Sequence, residues 1–351
     1  MTDYVIGVDV HKRNHTFVAV DCTGRKLATK TVMATTAGHE VALRWARITC
    51  PQHRLWGIED VRGVSARLEA ELMDAGEAVV RVPPKLTARQ RASARTVGKS
   101  DPIDALAVAR AVLREPDLPR AQHDAHSRDV KLLVDYRDRL VRSRRALANR
   151  VLARLHELEP EYSPIRSAFC FAKHRQVAQA LLASHTGVLA ELTRAELEQI
   201  AVLSGHIAST DKRIKDIVVD VASALLTIDG CGPLTTAKII GETAGITRFA
   251  NEAKYARYVG VAPIPHWSGG AAVPLRLTRS GNRQLNRALY TIAMLQIRRG
   301  GRGEQYYRQR IAGGDTHRHA LRCLKRHICR AVYHALIVDT KTRAAAAAQN
   351  G

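Results

Sequence analysis

The chain has 351 residues, room for two ordinary domains or for one large domain with an extension. Hydrophobic residues make up 46% of it and charged residues 25%, which excludes a disordered tail. Lys and Arg number 55 against 33 Asp and Glu, and the resulting +22 repels itself unless a polyanion neutralises it, so nucleic acid is the first expected partner.

A basic membrane-surface protein is the competing class. It is weakened by the lack of any long apolar run or lipidation signal. No signal-peptide pattern opens the chain. Cys22, Cys50, Cys170, Cys231, Cys323 and Cys329 are scattered without a CxxC pair, which predicts reduced thiols and a cytoplasmic location.

Residues 4–9 form an apolar run ending at an acid. Residues 15–21 and 25–33 read as two further strands, and 37–48 fits a helix. A strand at 54–59, a helix at 63–75 and a strand at 77–82 follow. Pro83-Pro84 breaks the chain, and helical segments continue through 101–114. The order βββ-α-β-α-β-α predicts an α/β, RNase H-like mixed sheet for residues 1–127.

From 128 to 225 the spacing becomes helical. Ile200, Leu203, Ile207, Thr210, Ile214, Ile217, Val221 and Ala224 alternate steps of three and four, an a/d seam with one polar member. Leu133, Tyr136, Leu140, Leu147, Val151 and Leu158 make a looser stripe, with breaks at Ser163-Pro164 and Gly187. Two helices packed on each other explain the stripes, and a coiled hairpin that also drives oligomerisation explains them equally well. From 226 to 340 glycine and proline return, with a loop at 261–274 and then basic helices. Residues 341–351 are expected to be a disordered tail.

Four carboxylates need a reason in so basic a chain. Asp9 ends the first strand and Glu59 the fourth. Asp101 and Asp104, three apart at the start of a helix, share one helical face. An N-cap role accounts for Asp101 alone. In an RNase H-like sheet the first and fourth strands are neighbours and the last helix crosses their ends, so the four acids converge. Their repulsion is relieved by oxygen-ligated Mg²⁺, which suits phosphodiester chemistry. Asp60 is expected to face the other way.

Asp229-Gly230-Cys231-Gly232-Pro233, followed by a helix through Lys238, resembles a helix-hairpin-helix phosphate contact; a tight turn without a ligand is the plainer reading. Ser268 lies in GVAPIPHWSGG beside Gly269, in a proline-stiffened loop, and serine is common in loops. Arg276, Arg279, Asn282 and Arg283 follow, with forked guanidiniums suited to phosphate; Ser280 is the rival serine. His319, Cys323 and His327 fall on one helical face, but their spacing does not match paired zinc knuckles.

These segments in this order resemble the DEDD transposase family of insertion sequence one hundred and ten, over nearly the whole chain. The resemblance rests on IGVDVHK, WGIED and KSDPIDALAVARA in the N-terminal part, then IDGCGPLTTAKIIGETAGITRFANEAKYARYVGVAP, SGG and RSGNRQLNRALY. One departure is WGIEDVRG, where the family pattern after the glutamate is richer in glycine and threonine.

The resemblance implies a RuvC-like acidic domain and a C-terminal domain whose serine maps to Ser268, both used to cut and rejoin DNA. It also implies a bridge RNA pairing target and donor DNA, and dimers, with the helical insert in the dimer contact, that pair into tetramers. Two rival expectations are a Holliday-junction-type nuclease using the acids alone and a non-catalytic nucleic-acid-binding protein.

Overall fold

The computed structural model describes residues 3–59, 62–92, 100–122, 125–264, 276–277 and 281–349. The chain forms two compact units, one of residues 1–124 with 247–251, the other of 125–246 with 252–351.

The first unit is built on five strands: β1 (Tyr4–Val10), β2 (Asn14–Asp21), β3 (Lys26–Met33), β4 (Arg54–Glu59) and β5 (Ala78–Val82). Their order is β3-β2-β1-β4-β5. The first three form an antiparallel meander, and β4 and β5 join in parallel. This is the expected RNase H-like mixed sheet. Alternation sends successive side chains to opposite faces. Ile6, Val8, Val10, Phe17 and Ile58 pack with Trp56 against helices α1 (Thr36–Thr49) and α2 (Arg62–Asp74). The buried Trp56 indole donates to Glu77 at 2.9 Å, so its polar edge is satisfied. Val5, Val18, Val20, Val80 and Val82 face the other way, onto α4 (Asp101–Arg114). Helix α3 (Pro84–Ala92) precedes it. Pro102 in the first turn suits a position where no amide donor is needed.

The second unit is helical. Helices α5 (Ala125–Leu158) and α7 (Val188–Val221) lie antiparallel, tied by Arg137–Asp211 at 2.5 Å and Arg150–Glu196 at 2.8 Å. Helix α6 (Ala172–Leu182) and a 3-10 turn at Ala168–Cys170 close one end, burying Phe169, Leu182, Leu197 and Ile200. The α7 seam is therefore buried within its own chain. It differs from the predicted stripe in two places. Val218, not Ile217, is the more deeply buried, because an ideal helix drifts away from a strict 3.5-residue repeat. Ala224 belongs to the next helix, α8 (Ser223–Leu226).

Helices α9 (Pro233–Thr243), α10 (Glu252–Val259), α11 (Arg283–Arg299), α12 (Arg302–Ala312) and α13 (His317–Gln349) complete the unit, with a short ribbon of β6 (Pro263–Ile264) and β7 (Arg276–Leu277). Helix α13 corrects the expected disordered tail, since it runs through Gln349. Alanine is the strongest helix former, and Arg343 donates to the Val221 carbonyl at 3.1 Å. Asp339 on the same helix is buried and accepts the amides of Ala224 and Leu225, capping α8.

Candidate active site

The carboxyl ends of β1 and β4 are where the chemistry gathers. These strands pair in parallel up to Val8 and Ile58, and Asp9 and Glu59 come one residue later. The neighbours Val8 and Ile58 belong to the opposite core, so both acids stand on the α4 side of the sheet.

Two glycines bring α4 down onto that side. A Cβ on Gly7 would lie 2.0 Å from the Ala105 carbonyl oxygen and 2.5 Å from the Ala109 amide. A Cβ on Gly57 would lie 2.5 Å from a Val112 methyl. With no side chain there, α4 meets β1 backbone to backbone at Gly7 and seats the Val112 methyl against Gly57, and the first turn of α4 reaches the ends of β1 and β4. That turn carries Asp101 and Asp104. All four predicted carboxylates therefore stand in one neighbourhood, and the notion that Asp101 is merely a cap fails. Ser100 is the N-cap residue of this helix, and it makes no side-chain cap bond.

Two basic residues divide the acids between them. His11 Nε2 lies 3.1 Å from Asp9 Oδ2 and 3.5 Å from Asp101 Oδ1. Arg91 Nη1, on α3, donates to Asp104 Oδ1 at 2.9 Å. Burial pushes the Asp9 carboxyl above its ordinary value, and Asp104 and Asp101 push it further, against the pull of His11. Burial likewise raises Glu59, helped by Asp9 and Asp104 and opposed by Arg91. Burial first, and the neighbouring acids after it, make these two carboxylates costly to charge without a counter-ion.

The donor set fits a hard divalent cation. Ligand atoms of Asp9, His11 and Asp101 all lie within 4.8 Å of one another, and Glu59 and Asp104 supply further carboxylate oxygens beside them. Carboxylates with open positions suit Mg²⁺ or Mn²⁺. Of these residues, His11 and Arg91 escaped the reading of the sequence. His11 lay inside the quoted IGVDVHK, one residue past the end of β1. Arg91 lay in a run of basic residues with nothing to mark it out.

The second unit holds the other predicted residues. Gly230 has φ +79°, the left-handed region, and a Cβ there would meet the Ile292 carbonyl oxygen at 3.1 Å, so the turn needs glycine. Gly232 is the N-cap residue of α9 and has open space around it. Lys238 donates to Asp138 at 2.9 Å and is folded onto α5, where a phosphate contact was expected. Asn282 differs from expectation in the same way. Its side-chain oxygen accepts the Gln284 and Leu285 amides as the cap of α11, and its Nδ2 donates to Glu242 at 2.7 Å. Both ends of its amide are thus engaged inside the unit. Arg283 begins α11 and is exposed. Arg276 is placed on β7. Ser268, Gly269, Arg279, Ser280 and Asp60 lie outside the described residues.

His319 and Cys323 do approach each other, with Asp315. The Asp315 carboxylate accepts from His319 Nδ1 at 2.8 Å and pairs with Arg310 at 2.5 Å.

Comparison with known proteins gives the chemistry a family. Residues 6–160 match a DEDD transposase family described as "Transposase", and residues 222–308 match the "Transposase IS116/IS110/IS902 family". The chain is 25% identical over 366 residues to the insertion element IS116 uncharacterized 44.8 kDa protein of Streptomyces clavuligerus, covering 92% of this chain and 91% of that one. It is 26% identical over 392 residues to the insertion element IS900 uncharacterized 42 kDa protein of Mycobacterium paratuberculosis, covering 97% and 98%. T. thermophilus RuvC in complex with a Holliday junction substrate overlaps 32% of this chain and 94% of its own, at a TM-score of 0.26 and 14% identity. Two family matches in order, flanking a helical insert, and relatives aligned along more than nine tenths of the chain lead to one conclusion: the chain belongs to the IS110 family of transposases, which cut and rejoin DNA.

Proposed function

We propose that this chain is a DNA transposase with two catalytic parts, the acid cluster Asp9, Glu59, Asp101 and Asp104 and the serine Ser268. The observation that carries the reading is the convergence of four acids from three separate stretches onto the carboxyl ends of two parallel strands. A structural protein gains nothing from that repulsion, whereas a nuclease needs it.

Mg²⁺ is the cation the four carboxylates would hold, and when bound it supplies Lewis acidity toward a phosphoryl oxygen. Asp9 and Glu59, on the strand ends, orient the cluster. Asp101 and Asp104 complete it from α4. The Ser268 hydroxyl attacks phosphorus, an Oγ–P bond forms, and the P–O bond to the departing deoxyribose breaks. The hydroxyl proton finishes on the leaving oxygen, so the step is balanced. Arg276, Arg279 and Arg283 are the residues that would bind the phosphate backbone. The Gly230–Gly232 turn, at the N-terminus of α9, presents amides to a second phosphate in the manner of a helix-hairpin-helix.

The wider reading follows the family resemblance and the charge. A structured bridge RNA shares the +22 surface with DNA. The α5–α7 hairpin serves as a coiled-coil contact within a dimer, and dimers pair into tetramers. The working boundaries are 1–127, 128–225 and 226–340. No helix among the described residues is long and apolar enough to cross a membrane, and a cytoplasmic enzyme fits that.

The test is a supercoiled plasmid carrying the DNA that flanks the gene, incubated with protein and Mg²⁺, then run on a denaturing gel with peptide mapping. A covalent protein–DNA adduct at Ser268 is the expected result. Free cuts without an adduct identify a structure-selective nuclease that uses the acids alone. Retardation without cutting removes the enzymatic reading.

A further inference from the structure

Half of the acid cluster is faced by a residue that can ligate a metal, and half by one that cannot. Arg91, beside Asp104 and Glu59, has no lone pair to offer a metal. It is a fixed positive charge for those two acids. His11 is different, because a neutral imidazole nitrogen is among the commonest metal ligands.

Its placement follows from β1. The His11 amide donates to the Asn14 carbonyl at 3.1 Å, closing the turn into β2 and fixing the backbone. His11 lies one residue past the end of β1, and its side chain turns back to Asp9. One nitrogen, Nε2, then lies within reach of both Asp9 Oδ2 at 3.1 Å and Asp101 Oδ1 at 3.5 Å. The ring is 52% exposed, so packing does not dictate that pose; the two carboxylates do. The bland alternative is a surface histidine that happens to pair with an acid. It accounts for one contact, not for a single nitrogen aimed between acids from two different elements.

Such an arrangement leaves one net negative charge among these groups. Asp9 and Asp101 neutralise a divalent cation to which a neutral imidazole adds no charge. Asp104 and Glu59 retain Arg91.

We infer that His11 Nε2 is a direct metal ligand together with Asp9 and Asp101, and that this mixed nitrogen–oxygen site favours Mn²⁺ over Mg²⁺. The inference rests on the reading of the acids as a metal site and goes beyond it. Imidazole shifts affinity toward transition metals, whereas Mg²⁺ is best served by oxygen alone.

The experiment uses the full chain stripped of metal and titrated with Mn²⁺. Electron paramagnetic resonance counts the bound ion, and pulsed spectra read nitrogen coupling to it. Wild-type protein is expected to show coupling from one directly bound ¹⁴N, replaced by a ¹⁵N signal after growth on ¹⁵N-histidine. H11Q is expected to lose the coupling and to bind Mn²⁺ about tenfold more weakly. Its Mg²⁺ affinity, read by competition, should move by no more than about twofold.

The labelled wild type carries the test even if H11Q folds poorly. Bound Mn²⁺ that is lost in D9N but shows no nitrogen coupling in wild type would overturn the inference and leave the acid site standing. Coupling that persists in H11Q would overturn it too. Wild-type protein that binds no Mn²⁺ above the D9N level would overturn both the inference and the metal reading beneath it.

Discussion

Asp9 in the sheet unit and Glu242 in the helical unit are equally buried, at 8% and 7% exposure, and their surroundings are opposite. Glu242 receives Lys131 Nζ at 2.6 Å and Asn282 Nδ2 at 2.7 Å, so a cation and an amide from two other helical segments satisfy it. It joins α5, α9 and the cap of α11. Asp9 instead has a half-exposed histidine and two further acids, and its environment resists its charge. Burial alone therefore does not mark a functional acid. What marks it is burial without full compensation, which leaves room for a ligand to supply the missing charge.

The strongest way to break this contrast is D9N. Cleavage of plasmid DNA should fall on the order of a thousandfold, while the metal-free protein melts at the same temperature or higher, because repulsion has been removed. Plasmid nicking and calorimetry on the same preparation check both halves. Full cleavage by D9N would remove Asp9 from the site.

G7A breaks the site without touching an acid. The added methyl meets backbone atoms of α4, which must move away, at a cost of about 3 kcal/mol. Cleavage should fall further than the lost stability explains, since Asp101 and Asp104 move with the helix. Urea melts beside activity under stabilising conditions separate the two effects.

E242Q tests the other side of the comparison. It should destabilise the protein by about 2 kcal/mol, less than the loss of a fully buried pair, because Lys131 keeps Asp135 at 3.0 Å. The loss should appear as a lower melting temperature with no gain in metal affinity.

An effect of similar size, confined to acid, concerns a third buried group, His15, which stacks on His39 with ring centroids 5.1 Å apart. Burial, then His39, lowers its value to about 4. Its folded value lies below the unfolded one, near 6.5. The folded state therefore binds fewer protons, and stability present above pH 6.5 is lost as the pH falls toward 4. The loss should be on the order of 2 kcal/mol at pH 5. H15F should flatten that slope in acid-melting curves.

Much of the sheet unit was legible because its signals are local. Apolar runs ending in acids, the Pro83-Pro84 break and the Asp101–Asp104 spacing each announce themselves, and the topology then brings the acids together. His11 was not legible, because a histidine after a strand reads as turn chemistry until Asp101 is placed opposite it from ninety positions away. Arg91 was hidden among similar residues. Asn282 carried a cap signal, an asparagine directly before a helix, but the neighbouring arginines suggested phosphate instead. Lys238 was read with the phosphate-contacting turn because its partner, Asp138, lies on another helix. The tail was misread because an alanine run looks unstructured when the anchor at Arg343 and its distant acceptor are unseen.

The backbone contact between Gly7 and Ala105 has a consequence for how this site can evolve and be engineered. At that contact the strand–helix separation is set by backbone, not by any of the acids. Any one acid can therefore be exchanged for its amide while the frame under the other three stays still. A series of single, isosteric replacements should thus report chemistry position by position, free of the rearrangements that blur such series in sites held together by their own side chains. The same frame is intolerant at the glycines themselves: drift there can silence a copy of the gene while every acid remains intact.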